Sequence, residues 1–155
     1  MRSAGTELII PEVLAVRDPA PAAPGFLLME YIPSQTRGDA ATFGAQLARL
    51  HGHRRARFGF GHDNYIGSLP QANGDSPSWI DFFCHQRIEP LLKQAIDDGK
   101  VDSDLRNHWD RLAHRLDQLI PKCAPSLLHG DLWSGNYMYD PQGRAVLIDP
   151  AVYYG

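Results

Sequence analysis

A chain of 155 residues can bury one ordinary core, and its composition (43% hydrophobic, 21% charged, no low-complexity tract) is that of a globular protein. A net charge of −3 argues against nucleic acid or an anionic membrane surface as partner, since both call for a basic face. Two distant cysteines, Cys84 and Cys123, give neither a disulfide framework nor a paired-Cys metal motif. No run approaches the roughly 20 apolar residues of a membrane span, so the expectation is a cytoplasmic chain with two reduced thiols.

The first apolar stretch, Leu8 to Val16, is β-branched but contains Pro11, which limits where a strand can run. A Pro-rich connection leads to Phe26–Ile32, a continuous apolar run of the kind a buried strand shows, ended by Pro33. The two read as an antiparallel pair. From Asp39, a plausible N-cap, the period changes: Phe43, Leu47 and Leu50 mark an amphipathic helix to about His53. The cluster His51, His53, Arg54, Arg55 and Arg57 suits the negative end of that helix. Residues 57 to 78 read as one long irregular loop.

Ser78 to about Asp98 reads helical, with Pro90 expected to kink it and Gly99 to stop it. Leu105, Trp109, Leu112, Leu116 and Leu119 then predict one helix, capped by Asp102 or Ser103 and stopped by Pro121. Three amphipathic helices should form a helical subdomain. The last stretch carries a type I turn signature, Asp140-Pro141-Gln142-Gly143, between two short apolar runs, and so predicts a β-hairpin.

That hairpin organises the residues that carry chemistry. Asp131 lies in the loop before it, Asn136 at the loop's end, and Asp149 at the end of the returning strand. Antiparallel pairing brings Asn136 and Asp149 together, with Asp131 beside them. Carboxylate and amide oxygens are hard donors that suit Mg²⁺ with phosphate oxygens. A further acid can take the proton of a hydroxyl. His129-Gly130-Asp131, four residues, Asn136, then Asp149 follows the phosphoryl-transfer pattern of an Asp, an Asn five residues on and a metal-binding Asp. Gly130 stands where protein kinases carry Arg, and Pro150-Ala151 follows Asp149 in place of Phe-Gly. Both point to the small-molecule branch of the kinase-like fold. His129 is expected to orient the loop, not to act as a base. The other histidines lack zinc spacing.

"LLHGDLWSGN" with "IDPAVYYG", together with "PEVLAV", "FLLMEYI" and "FGFGHDNYIGSLPQANG" in that order, resembles the fructosamine kinase (ketosamine-3-kinase) family, relatives of aminoglycoside and choline kinases. The resemblance implies an α+β, protein-kinase-like fold present in part. Residues 1–32 would be the end of the N-lobe with the hinge, and 33–155 a partial helical C-lobe. It implies ATP and Mg²⁺ as cofactors and phosphorylation of the sugar 3-hydroxyl of a ketosamine, free or on a glycated protein lysine, in deglycation repair. It makes Asp131 the proton acceptor and Asn136 and Asp149 the holders of Mg²⁺ and the phosphates. It makes Met29 the guard of the nucleotide pocket, and the backbone of Glu30, Tyr31 and Ile32 its adenine contact. Trp133 would either stack on substrate or belong to the core. The "HDNYIG" segment would either line the substrate or simply be structural.

The family pattern also requires a Gly-rich loop, a strand Lys and a helix Glu before the hinge. Residues 1–25 hold no Lys and no Gly-x-Gly. The chain therefore reads as an interior piece of a longer kinase, expected to have little activity alone and to self-associate through uncovered apolar surface. Two other readings stand beside ketosamine kinase. One is another aminoglycoside- or choline-kinase-like phosphotransferase, and the other a non-catalytic nucleotide-binding remnant.

Overall fold

Pro11 decides where the first strand begins. In the computed structural model, which describes residue 1, residues 5–35 and residues 37–155, β1 runs over Val13–Arg17, beyond the proline. It pairs antiparallel with β2, Phe26–Met29. The pairing is as expected, but the burial is not: the apolar side chains of β2 are exposed, and Leu14 and Val16 of β1 are too. The physical reason is that a sheet of two strands has two open faces and two open edges. Among the described residues no third strand pairs with either edge.

The chain forms two compact units, residues 1–51 with 130–150 and residues 52–129 with 151–155. In the first, helix α1 (Ala40–His51) starts at Asp39, whose carboxylate accepts the N–H groups of Ala41 (2.9 Å) and Thr42 (3.1 Å). The unit is built on the hairpin of β6 (Tyr137–Tyr139) and β7 (Ala145–Leu147). Its turn is the predicted one. Gly143 N–H donates to the Asp140 carbonyl at 2.9 Å, and Gly143 takes the φ of +75° that closes a three-residue loop. Ile9 lies alongside β7, with its N–H on the Ala145 carbonyl and its own carbonyl accepting from Leu147. Gln35 lies alongside β6. Ala145, Val146 and Leu147 are thereby fully buried, with Leu8 and Leu50. Phe43 packs on Tyr137, ring centroids 5.0 Å apart. Helix α1 thus belongs to the hairpin's unit and not to a common subdomain with the later helices, because its apolar stripe finds β6.

The second unit begins with a hairpin where a loop was expected: β3 (Asn64–Ile66) and β4 (Leu69–Gln71). Its strands are three residues each, too short to show alternation. The signal was the two-residue connection Gly67-Ser68, with Gly67 at φ +57°. The next helical stretch is broken into α2 (Trp79–Phe83), a π-helical segment (Cys84–Ile88) and α3 (Glu89–Asp97). Pro90 is the cause: it offers no N–H to the Gln86 carbonyl, which accepts from Arg87 Nη1 at 2.9 Å instead. Gly99 (φ +65°) ends the helix.

Helix α4 (Ser103–Ala113) is capped by Asp102, which accepts from Asp104 and Leu105; the side chain of the alternative cap, Ser103, lies outside the described residues. The single helix expected to run on to Leu119 breaks at His114–Arg115 before α5 (Leu116–Leu119). Of its stripe, Trp109 and Leu116 are buried with Cys84 and Leu92, whereas Leu105, Leu112 and Leu119 are exposed. The core of this unit takes only one side of α4. Glu89 ties α3 to α4, accepting from Trp109 Nε1 (2.8 Å) and Arg106 Nη1 (2.7 Å). The basic cluster also departs from expectation. Only Arg49 and His51 lie in the last turn of α1. Arg54 binds the Ala124 carbonyl and Ser126, and Arg55 pairs with Asp75 at 3.4 Å. A last ribbon pairs β5 (Leu127–Leu128) with β8 (Tyr153–Tyr154). Both cysteines are free thiols, and burial, followed by the charges of Glu89 and Asp81, pushes the Cys84 thiol up. No helix among the described residues is long and apolar enough to cross a membrane.

Candidate active site

The three residues singled out by spacing meet at the open end of the β6–β7 hairpin. Asn136 is buried, and its side-chain amide donates to both the backbone carbonyl and the Oδ2 of Asp131, each at 2.9 Å. The same nitrogen lies 3.5 Å from the Asp149 carbonyl. Sequence dictates this locally. Trp133 carbonyl accepts the Asn136 N–H at 2.9 Å, which folds the Asp131–Asn136 loop back on itself. Asn136 carbonyl then accepts the Ile148 N–H at 3.0 Å, which brings the returning strand alongside. Gly130 enters the loop with φ +85°, a conformation that costs glycine little and a side chain much.

Asp149 is the one non-glycine residue with positive φ (+50°) among the described residues. Its side chain is exposed. A left-handed carboxylate residue at a hairpin end is the type of backbone outlier that clusters at ligand clamps. Spacing alone gave no sign of it.

The donor set fits a magnesium–phosphate group. The Asn136 amide nitrogen donates to Asp131, so its oxygen lies on the opposite edge of the amide, and the exposed Asp149 adds a carboxylate. Mg²⁺ in such sites is held by one or two carboxylates together with phosphate oxygens. No cluster of three or more His, Cys, Asp or Glu able to hold a metal occurs among the described residues.

The other predicted residues are placed as follows. Trp133 is 61% exposed. Its indole lies across Gly135, where a β-carbon would sit 2.4 Å from the ring. Glu30 leaves β2 with its N–H on the Glu12 carbonyl (2.8 Å), while its carboxylate accepts the Glu12 N–H (3.1 Å). Tyr31 is exposed, Ile32 half-buried and Met29 39% exposed. His129 is buried. At the far end of the hairpin, burial would raise the Asp140 carboxyl. Its bonds to the Arg144 guanidinium and to the Arg144 and Gln142 N–H groups outweigh that and hold it below the ordinary carboxylate range.

The fold is that of the protein-kinase-like class, present in part. Two crystal structures of proteins assigned as fructosamine-3-kinases share the fold. That from Thermobifida fusca matches with a TM-score of 0.82 at 34% identity, over 94% of this chain and 49% of the other. That from Haemophilus somnus matches with 0.85 at 25% identity, over 99% and 51%. The fructosamine kinase family model matches residues 2–155, and the chain belongs to that family. A "probable ketoamine kinase" of Lactiplantibacillus plantarum is 39% identical over 86% of this chain and 48% of its own length. The chloroplastic protein-ribulosamine 3-kinase of Arabidopsis thaliana is 40% identical over 87% and 43%. The chain thus spans about half the length of the curated relatives it matches.

Proposed function

We propose that this chain carries the catalytic loop and metal-binding hairpin of a ketosamine-3-kinase, which transfers the γ-phosphoryl group of ATP to the sugar 3-hydroxyl of a fructosamine or ribulosamine adduct. The single observation that supports it most is the Asn136 amide bridging Asp131 to the end of the hairpin at Asp149, in a chain of this family. In this reading Asp131 accepts the proton of the attacking hydroxyl. The hydrogen bond from the Asn136 amide to Oδ2 helps to fix the Asp131 carboxylate. Asn136 Oδ1 and the Asp149 carboxylate would hold Mg²⁺, which neutralises charge on the transferring phosphates when bound.

The remaining roles follow from placement. Because the Glu30 N–H is committed to Glu12, adenine contacts fall to the Glu30 carbonyl and the backbone of Tyr31 and Ile32, with Met29 beside them. This is also where the proposed lobe boundary lies, between residues 32 and 33. Trp133, exposed two residues beyond Asp131, offers an indole face for the sugar or the adduct's amine. The substrate is a free ketosamine or a glycated protein lysine, and the reaction serves deglycation, in the cytoplasm.

The test is phosphorylation of a panel of fructosamines, ribulosamines and amino alcohols by the protein encoded by the full gene, with ³¹P NMR locating the phosphate. A 3-phosphate on ketosamines that vanishes in Asp131→Asn is the expected result. Phosphorylation of amino alcohols alone would replace the reading with that of a choline-kinase-like enzyme.

A further inference from the structure

Helix α4 carries a wider apolar arc than the core of its unit takes up. Trp109 is buried with Cys84 and Leu116, whereas Leu105 and Leu112 stay 43% and 45% exposed. Seven residues apart, these leucines stand two turns apart on one face, with the exposed His108 between them. Asp104 and Arg111 each precede one of the leucines, so both lie on the same flank of the stripe. Neither side chain makes a hydrogen bond or ion pair among the described residues. Arg106, on the other side of α4, is satisfied by Glu89 and Asp110 at 2.7 and 3.0 Å. Where the helix breaks, Arg111, Leu112, His114 and Arg115 line an open depression of about 510 Å³. All of these residues belong to the unit of residues 52–129 with 151–155.

The two ends of this face are complementary in kind. One end offers a carboxylate beside a leucine, Asp104 and Leu105. The other offers a depression with one leucine and three basic side chains. A straight helix cannot bring its own ends together, but a second copy running the opposite way brings each end against the other's. We infer that this chain pairs with a second copy of itself through α4. The two helices lie antiparallel about a two-fold axis, and Asp104 and Leu105 of each copy sit at the depression of the other. In an antiparallel helix pair, flank positions seven residues apart face one another. Asp104 of each copy thus meets Arg111 of the other, and the contact occurs twice by symmetry. The helix dipoles also oppose. A parallel pair would set the two acidic ends side by side, and the two basic ends likewise, at a cost in repulsion. A stripe of two leucines buries far less than a standard interface, so the dimer is weak and reversible. Its charges set orientation and register more than strength.

The test is sedimentation equilibrium on the 155-residue chain carrying Val16→Lys with Leu27→Lys, which suppresses association through the exposed β1–β2 ribbon. The expected result is a monomer–dimer equilibrium that is lost in Leu105→Ser with Leu112→Ser. Asp104→Arg and Arg111→Asp, measured separately, should each weaken the dimer by about tenfold, since each turns two attractions into two repulsions. Mixed one to one, the two variants should regain the parent affinity, because each then meets its opposite charge. Circular dichroism checks that the helix content is kept. A parent chain that stays monomeric overturns the inference, and species larger than two chains refute the two-fold arrangement. A dimer indifferent to both reversals, or one that mixing does not restore, also overturns it, because the leucines are then covered in another way. Should a reversal unfold α4, Asp104→Asn and Arg111→Gln take its place, each expected to weaken the dimer by about threefold. No weakening in either would equally sink the antiparallel pairing.

Discussion

Asp149 separates backbone strain from chemistry at a single position. An alanine at φ +50° carries a left-handed penalty of roughly 1–2 kcal/mol, which glycine escapes. Glycine in turn gives back about 0.4–1 kcal/mol through the greater freedom of its unfolded chain. The Asp149 side chain is exposed, so truncation removes little packing. Asp149→Gly should therefore hold the hairpin more firmly than Asp149→Ala by about 0.5–1 kcal/mol. Asparagine tolerates the left-handed region and should match the parent. Exchange of the buried Leu147 N–H, bonded to the Ile9 carbonyl at 2.9 Å, reports opening of this unit. It should run roughly two- to fivefold faster in the alanine variant than in the glycine variant. All three substitutions are expected to abolish Mg²⁺ retention in the presence of ADP, because each removes the carboxylate. An alanine variant as well protected as the glycine one would refute the strain argument.

Five further outcomes are expected. Asn136→Ala should cost about 1–2 kcal/mol by removing the two hydrogen bonds the amide gives to the Asp131 carboxylate and carbonyl; Asn136→Asp should be worse at pH 7 and recover in acid, as urea titrations at two pH values will show. Gly59→Ala would place a β-carbon 2.7 Å from the carbonyl oxygens of Asn73 and Gly74 at φ +112°, where nothing can yield, and should cost about 3 kcal/mol. Gly135→Ala meets only the exposed Trp133 ring and should instead shift the tryptophan emission with a small loss of stability. For Asp39, the Thr42 hydroxyl and N–H hold the carboxyl below its ordinary value, and Asp140 is lowered as described above. Depressed folded values mean stability that is fully present above the unfolded value near pH 4 and is lost as pH falls below it, so thermal midpoints should decline from about pH 4 downward and be flatter in Asp140→Asn. Finally, the exposed β1–β2 ribbon should drive concentration-dependent association, relieved by Val16→Lys with Leu27→Lys; a light-scattering mass of one chain at all concentrations would count against it.

Much of the site was legible because its logic is local. Asp131, Asn136 and Asp149 are bracketed by a turn whose residues, Asp140, Pro141 and Gly143, dictate a hairpin, and a hairpin brings its ends together whatever surrounds it. Asp39 and Asp102 fixed two helix starts for the same reason: a cap is a contact between near neighbours in sequence. The family likeness is broader than these motifs, since the family model matches residues 2–155.

What the tertiary structure decided lies where distant residues compete for the same surface. The apolar run from Phe26 has the composition of a buried strand, yet it is exposed because burial depends on what covers it. The stripe from Leu105 to Leu119 obeys helical spacing, yet the helix breaks at His114–Arg115 and only Trp109 and Leu116 reach the core. The β3–β4 hairpin was hidden by strands of three residues, and the amides of Asn64 and Gln71 find acceptors only because Val152 and Ala151, some eighty residues away in the chain, present carbonyls to them. Local sequence sets turns, caps and the spacing of chemical groups, because those energies come from neighbours a few bonds apart. Burial and backbone strain are set by atoms that are close only once the chain has folded.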